Sequence, residues 1–228
     1  MNVPAISMTT TEFLQALWPA YQGTGYLNVW TAPAKITHPF ALATQLDAVE
    51  AEVQRLTQDN QHVYFQVGLQ ASNTGSHGRG KEVTTVAIPG FWHDTDIAGP
   101  GHKQANLPED LAAAKDLIFS LPLPPTLIVY SGGGIYPFWL FMNPWEFTDD
   151  ADREKAKALS VRFQTFINIQ GSKRGYKLDS TANLDRLLRI PGSQNMKDLA
   201  HPRPVQVISY EPANRYTPDD IEQAFPPV

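Results

Sequence analysis

Apolar residues recur at two different spacings along the chain, and these spacings separate predicted helices from predicted strands. Between residues 42 and 56 they fall three or four positions apart, which is typical of a helix with one buried face. The segment HVYFQVGLQ alternates apolar and more polar residues, which predicts a half-buried strand. The same criteria predict further helices over 10–18, 108–120, 148–170 and from 217, and further strands over 25–30, 83–96, 126–141 and 203–210.

Helices and strands alternate irregularly, and the stretch TLIVYSGGGIYPFWLF reads as two strands joined in a β-hairpin. This order favours an α+β domain with a mixed or antiparallel sheet over a doubly wound parallel one. Pro137 lies in the second hairpin strand and has no amide hydrogen, so a bulge or a sheet edge is expected there. Pro108 is expected in the first turn of its helix, and Thr148 is a candidate N-cap. We expect one domain over residues 1–228.

Composition narrows the possible functions. The chain has no cysteine, which excludes disulfides and thiolate sites. It has neither a membrane-spanning apolar run nor a signal peptide, so a soluble, cytoplasmic protein without membrane partners is expected. The net charge of −5 argues against a nucleic-acid coat protein. However, six of the 18 basic residues lie between positions 171 and 197. This local patch suits phosphate binding, or it is a solvated, ion-paired surface.

Two aspartates, Asp94 and Asp96, end the apolar run of strand 83–96. Side chains alternate along a strand, so both carboxylates are expected on one side. At ~4 Å and an effective dielectric near 20, their repulsion is roughly 4 kcal/mol. A divalent cation would offset this repulsion, although solvation at a strand end is the alternative.

Two further stretches carry candidate chemistry. Three glycines follow Ser131, which suits either a tight hairpin or a close approach of backbone amides to a phosphate or base. Downstream, KLDSTANLDRLLRIPGSQNMK contains acids, the pair Arg186 and Arg189, and a Pro-Gly turn. It suits a third metal-binding carboxylate with arginines for phosphate, or a charged surface helix followed by a turn.

Together, these three stretches resemble the archaeo-eukaryotic primase superfamily, and within it the primase-polymerases of phages and plasmids. DTDIAGPGHK is similar to the family's D-x-D motif, SGGGIYPFW to its Ser-x-His hairpin motif, and LDSTANLDRLLRIPGSQNMK to its third-acid region. The resemblance covers roughly residues 63–197, and its combined order is far more specific than any single motif. It implies an RRM-like sheet flanked by helices, in a catalytic domain that relatives often continue into a helical segment and a helicase.

The resemblance also implies the reaction and the residues that perform it. Two Mg²⁺ or Mn²⁺ ions would be held by Asp94, Asp96 and a third acid, for which Asp179 is chosen and Asp185 is the fallback. A primer 3′-hydroxyl would attack the α-phosphate of a dNTP or NTP on a single-stranded DNA template. The candidate nucleotide-binding residues are Ser131, Gly132, Gly133, Tyr136, Arg189, Asn195, Lys197, His102 and Lys103. The candidate DNA-binding residues are Arg79, Lys81, Lys173 and Arg174.

The chain departs from the family pattern at Tyr136, where the family has a histidine. A tyrosine hydroxyl still donates a hydrogen bond, but it carries no positive charge near neutral pH. His93 is not expected to replace it, because it should face the other side of the strand. Two alternatives to a polymerase therefore stay open. One is a replication-initiator module that binds DNA or nucleotides with weakened catalysis, and the other is a metal-dependent nuclease.

Overall fold

The computed structural model describes residues 5–99 and 106–227. Its helices are α1 (Thr10–Leu17), α2 (Leu42–Gln58), α3 (Leu111–Phe119), α4 (Asp150–Lys173) and α5 (Pro218–Ala224). Its strands are β1 (Tyr26–Ala32), β2 (Thr37–Ala41), β3 (His62–Gln66), β4 (Leu69–Gln70), β5 (Thr85–Trp92), β6 (Thr95–Asp96), β7 (Leu127–Tyr130), β8 (Gly134–Glu146), β9 (Leu187–Arg189), β10 (Gln194–Asn195), β11 (Arg203–Pro204) and β12 (Gln206–Tyr210). None of the helices in these ranges is long and apolar enough to cross a bilayer.

Ten of the strands form one sheet, in the order β12-β7-β8-β5-β4-β1-β3-β9, with β2 beside β1 and β6 beside β8. Strands β10 and β11 form a separate pair. Every pairing between these strands is antiparallel. The predicted α+β class is therefore confirmed, and of the two predicted sheet types the antiparallel one is present.

Two hydrophobic cores cover the two faces of the sheet. On one face, α1 and α2 contribute Phe13 and Val49, and Phe13 meets Phe65 of β3 edge to face at 5.4 Å. On the other face, α3, α4 and α5 pack, with Phe163 of α4 meeting Trp139 of β8 at 5.0 Å. The helix predicted over 148–170 is confirmed, and its apolar positions Leu159, Phe163, Phe166 and Ile167 all pack in this second core.

The structure corrects the starts of two predicted helices. Helix α3 begins at Leu111 rather than at Pro108, because the Asp110 carboxylate accepts the Ala113 amide and caps the helix there. The N-cap of α4 is Asp149, not Thr148, since the Asp149 side chain accepts the amide at the third helical position. In both cases the nearest aspartate takes the capping role.

The predicted strand 83–96 is divided. A 3₁₀ turn (Glu82–Thr84) precedes β5, and residues 93 and 94 separate β5 from the two-residue β6. Both β5 and β6 pair with β8, and the break between them lies opposite Pro137. The irregularity expected at Pro137 is therefore present, in a central strand rather than at an edge.

Candidate active site

The acid pair lies at the break between β5 and β6. The Pro137 carbonyl accepts the His93 amide at 3.1 Å, but proline has no amide hydrogen to return to the neighbouring strand. The Trp92 carbonyl, at the end of β5, instead accepts a hydrogen bond from the Gln164 side chain. The backbone therefore leaves regular pairing just before Asp94, and it resumes pairing at Thr95.

Asp94 is the more enclosed member of the pair, with its side chain 20% exposed. Burial raises the pKa of its carboxyl, and the nearby Asp96 charge raises it further. The guanidinium of Arg186 opposes this shift, and its Nη2 lies 3.3 Å from Asp94 Oδ2. Two carboxylates are thus held within electrostatic reach of each other, and a single arginine partly offsets their repulsion.

Tyr136 projects from β8 into the same region. Burial raises the pKa of its hydroxyl and the Asp94 charge adds to this, whereas Arg189 and hydrogen bonds with Ser131 and Arg189 lower it. Because the net shift is upward, the hydroxyl stays protonated and uncharged at neutral pH. We call Asp94, Asp96, Tyr136, Arg186 and Arg189 the acid site.

The glycine turn of the β7–β8 hairpin is held entirely by protein contacts. The Ser131 amide and hydroxyl both donate to the Gly134 carbonyl, at 2.9 and 3.1 Å. The Asn195 side chain donates to the Ser131 carbonyl at 3.0 Å. Gly132 has a φ of +79°, and a Cβ on Gly134 would lie 2.4 Å from the Thr95 carbonyl oxygen. The hairpin interpretation is therefore confirmed, and the turn packs directly against β6.

The structure does not bring the predicted third acid together with the pair. Asp179 is exposed in the coil after α4, although its charge acts on the buried His93 and slightly opposes the lowering of that side chain's pKa by burial. The fallback, Asp185, is half-buried beside a cavity of about 310 Å³ that Arg79 and Arg186 also line. Among residues 5–99 and 106–227, no three acidic, histidine or cysteine side chains lie close enough to hold a metal ion. The metal-binding roles of Asp94, Asp96 and a third acid therefore stay predictions.

The remaining predicted basic residues fall into separate places. Arg189 is buried on β9, a strand rather than the surface helix considered from the sequence, and Lys197 is exposed after β10. Lys173 and Arg174 end α4, where Arg174 pairs with Asp116 of α3 at 2.5 Å. Of the other predicted contact residues, Arg79 and Lys81 lie in an exposed loop, and Gly133 lies in the glycine turn. His102 and Lys103 lie outside the described residues.

Sequence reasoning missed the buried amide that ties the acid site to the coil carrying Asp179. The Gln164 Oε1 of α4 accepts both the amide and the hydroxyl of Thr181, at 3.2 and 3.3 Å, while its Nε2 donates to Trp92. The Trp92 indole in turn donates to the Thr181 carbonyl at 3.2 Å. The signal for this clamp is a glutamine next to Phe163 within the apolar stripe of α4.

His93 is placed as the sequence predicted, away from the acid pair. Its side chain is fully buried, with Nδ1 2.8 Å from the Thr95 hydroxyl and Nε2 3.1 Å from the Asn168 side-chain oxygen. Burial lowers its pKa, so the ring is neutral near pH 7. It positions the β5–β6 break and offers no cation to a ligand.

No family model matches the chain, and no curated protein matches it. Its fold is similar to that of the primase-polymerase AEP domain of cyanophage S-2L, with a TM-score of 0.60 and 15% identity over 94% of this chain and 95% of that one. The catalytic domain of primase RepB′, solved in complex with initiator DNA, gives a TM-score of 0.52 and 12% identity over 94% and 93%. The chain has the fold of a primase-polymerase catalytic domain. This primase-polymerase fold confirms the resemblance drawn from the three motifs at the level of architecture.

Proposed function

We propose that this chain is a template-dependent nucleotidyltransferase, which joins a nucleotide to the 3′ end of a DNA primer. The observation that carries the proposal is the acid site, where the Asp94–Asp96 pair meets Arg186 and Arg189 at the end of β5 in a primase-polymerase fold. Acids alone would repel a triphosphate, whereas arginines alone would bind it without activating a hydroxyl. The two kinds of side chain together suit phosphoryl transfer.

The arginines bind and orient the triphosphate. The Arg186 side chain is 37% exposed and contacts Asp94 through a single 3.3 Å hydrogen bond from Nη2, so Nη1 can face a phosphate, whereas Nε is buried. Arg189 is held more firmly, against Tyr64 and Tyr136. Lys197, exposed beyond β10, adds a mobile charge. Ser131 and Gly132 support this arrangement from the turn, and Tyr136 keeps Arg189 in place.

The acid pair fits a divalent cation, since two close carboxylates with one partial counter-charge are held at the mouth of the site. Mg²⁺ or Mn²⁺, as two ions, would supply activation of the primer hydroxyl and neutralisation of the phosphates. Asp94 and Asp96 would hold them, with Asp179 as the third acid. The Gln164 clamp fixes the coil on which Asp179 lies.

The substrates are a single-stranded DNA template with its primer and dNTPs or NTPs, in phage- or plasmid-type replication, with a helicase as a partner of the same machinery. The RepB′ catalytic domain has been solved with initiator DNA, which supports a DNA substrate for this fold. Arg79, Lys81, Lys173 and Arg174 are the candidate DNA contacts.

A second candidate is a nucleotide- or DNA-binding module with weakened catalysis. Two observations favour it. In the part of the chain that the structure describes, no third acid joins the pair, and Tyr136 brings no positive charge to the site. Such a module would bind DNA and nucleotide without extending a primer.

Extension of a labelled primer on a single-stranded template, with dNTPs and Mn²⁺ or Mg²⁺, separates these functions. We expect wild-type protein to lengthen the primer, and Asp94→Asn/Asp96→Asn to lose the activity by about 1,000-fold or more. Asp47→Asn, an exposed acid on α2, is the matched control and keeps full activity. Shortening of the primer would show a nuclease, whereas binding without extension would show the weakened module.

A further inference from the structure

Four side chains form a row across the sheet, at right angles to its strands. Trp30 of β1 is the register partner of Tyr64 of β3, and Tyr64 is the register partner of Arg189 of β9. The two rings lie 5.7 Å apart, the Arg189 guanidinium is 5.2 Å from the Tyr64 ring, and the Arg79 guanidinium is 5.9 Å from the Trp30 ring. We call Arg79, Trp30, Tyr64 and Arg189 the aromatic row.

The row does not belong to either hydrophobic core. The alternate residues of the same strands, such as Val29, Phe65 and Leu188, are fully buried in the first core. Trp30 and Tyr64 point to the opposite face and are only half-buried. The first core covers the opposite face of these strands and does not include the two rings. Core packing therefore does not explain why two large aromatic side chains lie on this face.

The cations at the ends of the row form no salt bridge with a described acid, although the Arg79 charge acts on Asp185 across the cavity that both line. Within the described part of the chain, neither Arg79 nor Arg189 has an acid at ion-pair distance, and Arg189 is buried with its Nε unbonded. His62 lies beside Tyr64, with ring centroids 6.4 Å apart and nearly parallel planes, and the charges of Arg189 and Lys197 act on it. Half-buried rings bordered by positive charge suit a ligand that has both aromatic rings and phosphates.

We propose that the aromatic row binds single-stranded DNA, with bases stacked on Trp30 and Tyr64 and with Arg79 and Lys197 on the phosphates. The inference deepens the proposed function, on which it rests, by placing the strand relative to the acid site. A single nucleotide would cover only one ring. The row instead continues in steps of 5.2–5.9 Å across three strands, which suits successive nucleotides of one strand.

The row leads into the acid site at two points. Arg189 ends the row and also hydrogen-bonds Tyr136. Arg79 begins it and lines the 310 Å³ cavity together with Arg186, whose guanidinium contacts Asp94. A strand lying on the row would therefore pass close to the acid pair, as a template must.

The test measures DNA binding in EDTA without nucleotide, so it does not depend on catalysis. The probe is a fluorescently labelled oligo(dT) of 20 nucleotides. Its fluorescence anisotropy is measured while wild-type protein, Trp30→Leu or Tyr64→Leu is added. We expect each variant to bind about tenfold to 100-fold more weakly. Phe119→Ala is the control. It removes an exposed ring of α3 that also has a nearby cation, Lys115 at 6.0 Å, and this variant should bind as the wild type does.

Two further measurements separate stacking from charge and from misfolding. An abasic oligonucleotide should bind wild type and Trp30→Leu within twofold of each other, because it has no base to stack. Arg79→Ala, in an exposed loop where folding is not at risk, should bind oligo(dT) more weakly and lower the slope of log affinity against log salt by about 0.7. Unchanged oligo(dT) affinity in these variants, or equal losses with the abasic strand, would overturn the proposal. Because this binding assay needs neither metal nor nucleotide, its result does not depend on primer extension, and failure of the catalytic proposal remains distinct.

Discussion

The acid pair and the predicted third acid are held in contrasting ways. Asp94 and Asp96 follow the buried strand β5, where pairing with β8 is interrupted opposite Pro137. The sheet therefore sets their position, and Arg186 contacts Asp94. Asp179 lies exposed in coil, and the hydrogen bonds of Thr181, two residues further on, connect its segment to Gln164 and to Trp92 at the end of β5. Carboxylates fixed by regular structure are placed before any ligand binds, whereas one on coil depends on a few side-chain contacts.

Replacing the predicted third acid is expected to have the largest effect on primer extension. If Asp179 joins the acid site when metal and nucleotide bind, Asp179→Asn should slow primer extension by on the order of 100-fold. Asp185→Asn, the matched change at the fallback position, should stay within about threefold. Single-turnover extension rates measure both. Loss with Asp185→Asn alone would move the third acid to that position.

Cutting the contact between the two regions is expected to have the next largest effect. Gln164→Leu leaves the Trp92 carbonyl and the Thr181 amide without partners, so the free energy of unfolding should fall by about 3 kcal/mol. Extension by the folded protein should slow by about 20-fold, a loss of somewhat under 2 kcal/mol in a positioning contact. Urea unfolding and extension at low temperature give the two values. The exposed Gln54→Leu on α2 is the control, and equal losses in both variants would refute the clamp.

Replacing Arg186, which contacts the acid pair, tests its proposed role in binding the triphosphate. Arg186→Ala should raise the KM for dNTP by about tenfold, because a charged hydrogen bond to phosphate is lost. Arg186→Lys should recover only part of it, since an ammonium lacks the planar fork. Arg55→Ala removes an arginine that is also paired with acids, on α2, and should leave KM unchanged. A KM that is insensitive to Arg186 would contradict its assignment to the triphosphate.

The smallest expected effect is at Tyr136. Tyr136→His introduces, beside Asp94, the histidine of the motif that this hairpin resembles; the Asp94 charge favours the protonated imidazole, and the KM for dNTP should fall by about threefold. Tyr136→Phe, which removes only the hydroxyl bonded to Ser131 and Arg189, should raise it. Steady-state kinetics on one template decide the sign. A higher KM for the histidine variant would show that tyrosine is adapted to this site.

The sequence predicts those parts of the molecule where the side-chain pattern is local. Alternation along HVYFQ and the 3–4 spacing of α2 and α4 specify their elements, and the D-x-D motif marks the acid pair. The Asp110 cap of α3 is not predicted, because several residues nearby can cap a helix and only the fold selects one.

The rest of the candidate site depends on contacts between distant parts of the chain. The pairing of Arg186 with Asp94 spans 92 positions, and the Gln164–Thr181 clamp depends on how α4 lies on β5. The aromatic row exists only because the register places Trp30, Tyr64 and Arg189 in line. Spacing along a sequence carries no signal for such an alignment.

The most direct measurement of the central claim is single-nucleotide incorporation opposite a defined template base. Wild-type protein, a primed template and Mn²⁺ are mixed with each dNTP in turn, beside Asp94→Asn. The primer should grow by one nucleotide with the complementary dNTP, much more slowly with the others, and not detectably in the variant. No growth with any nucleotide, or growth that Asp94→Asn leaves intact, would contradict it.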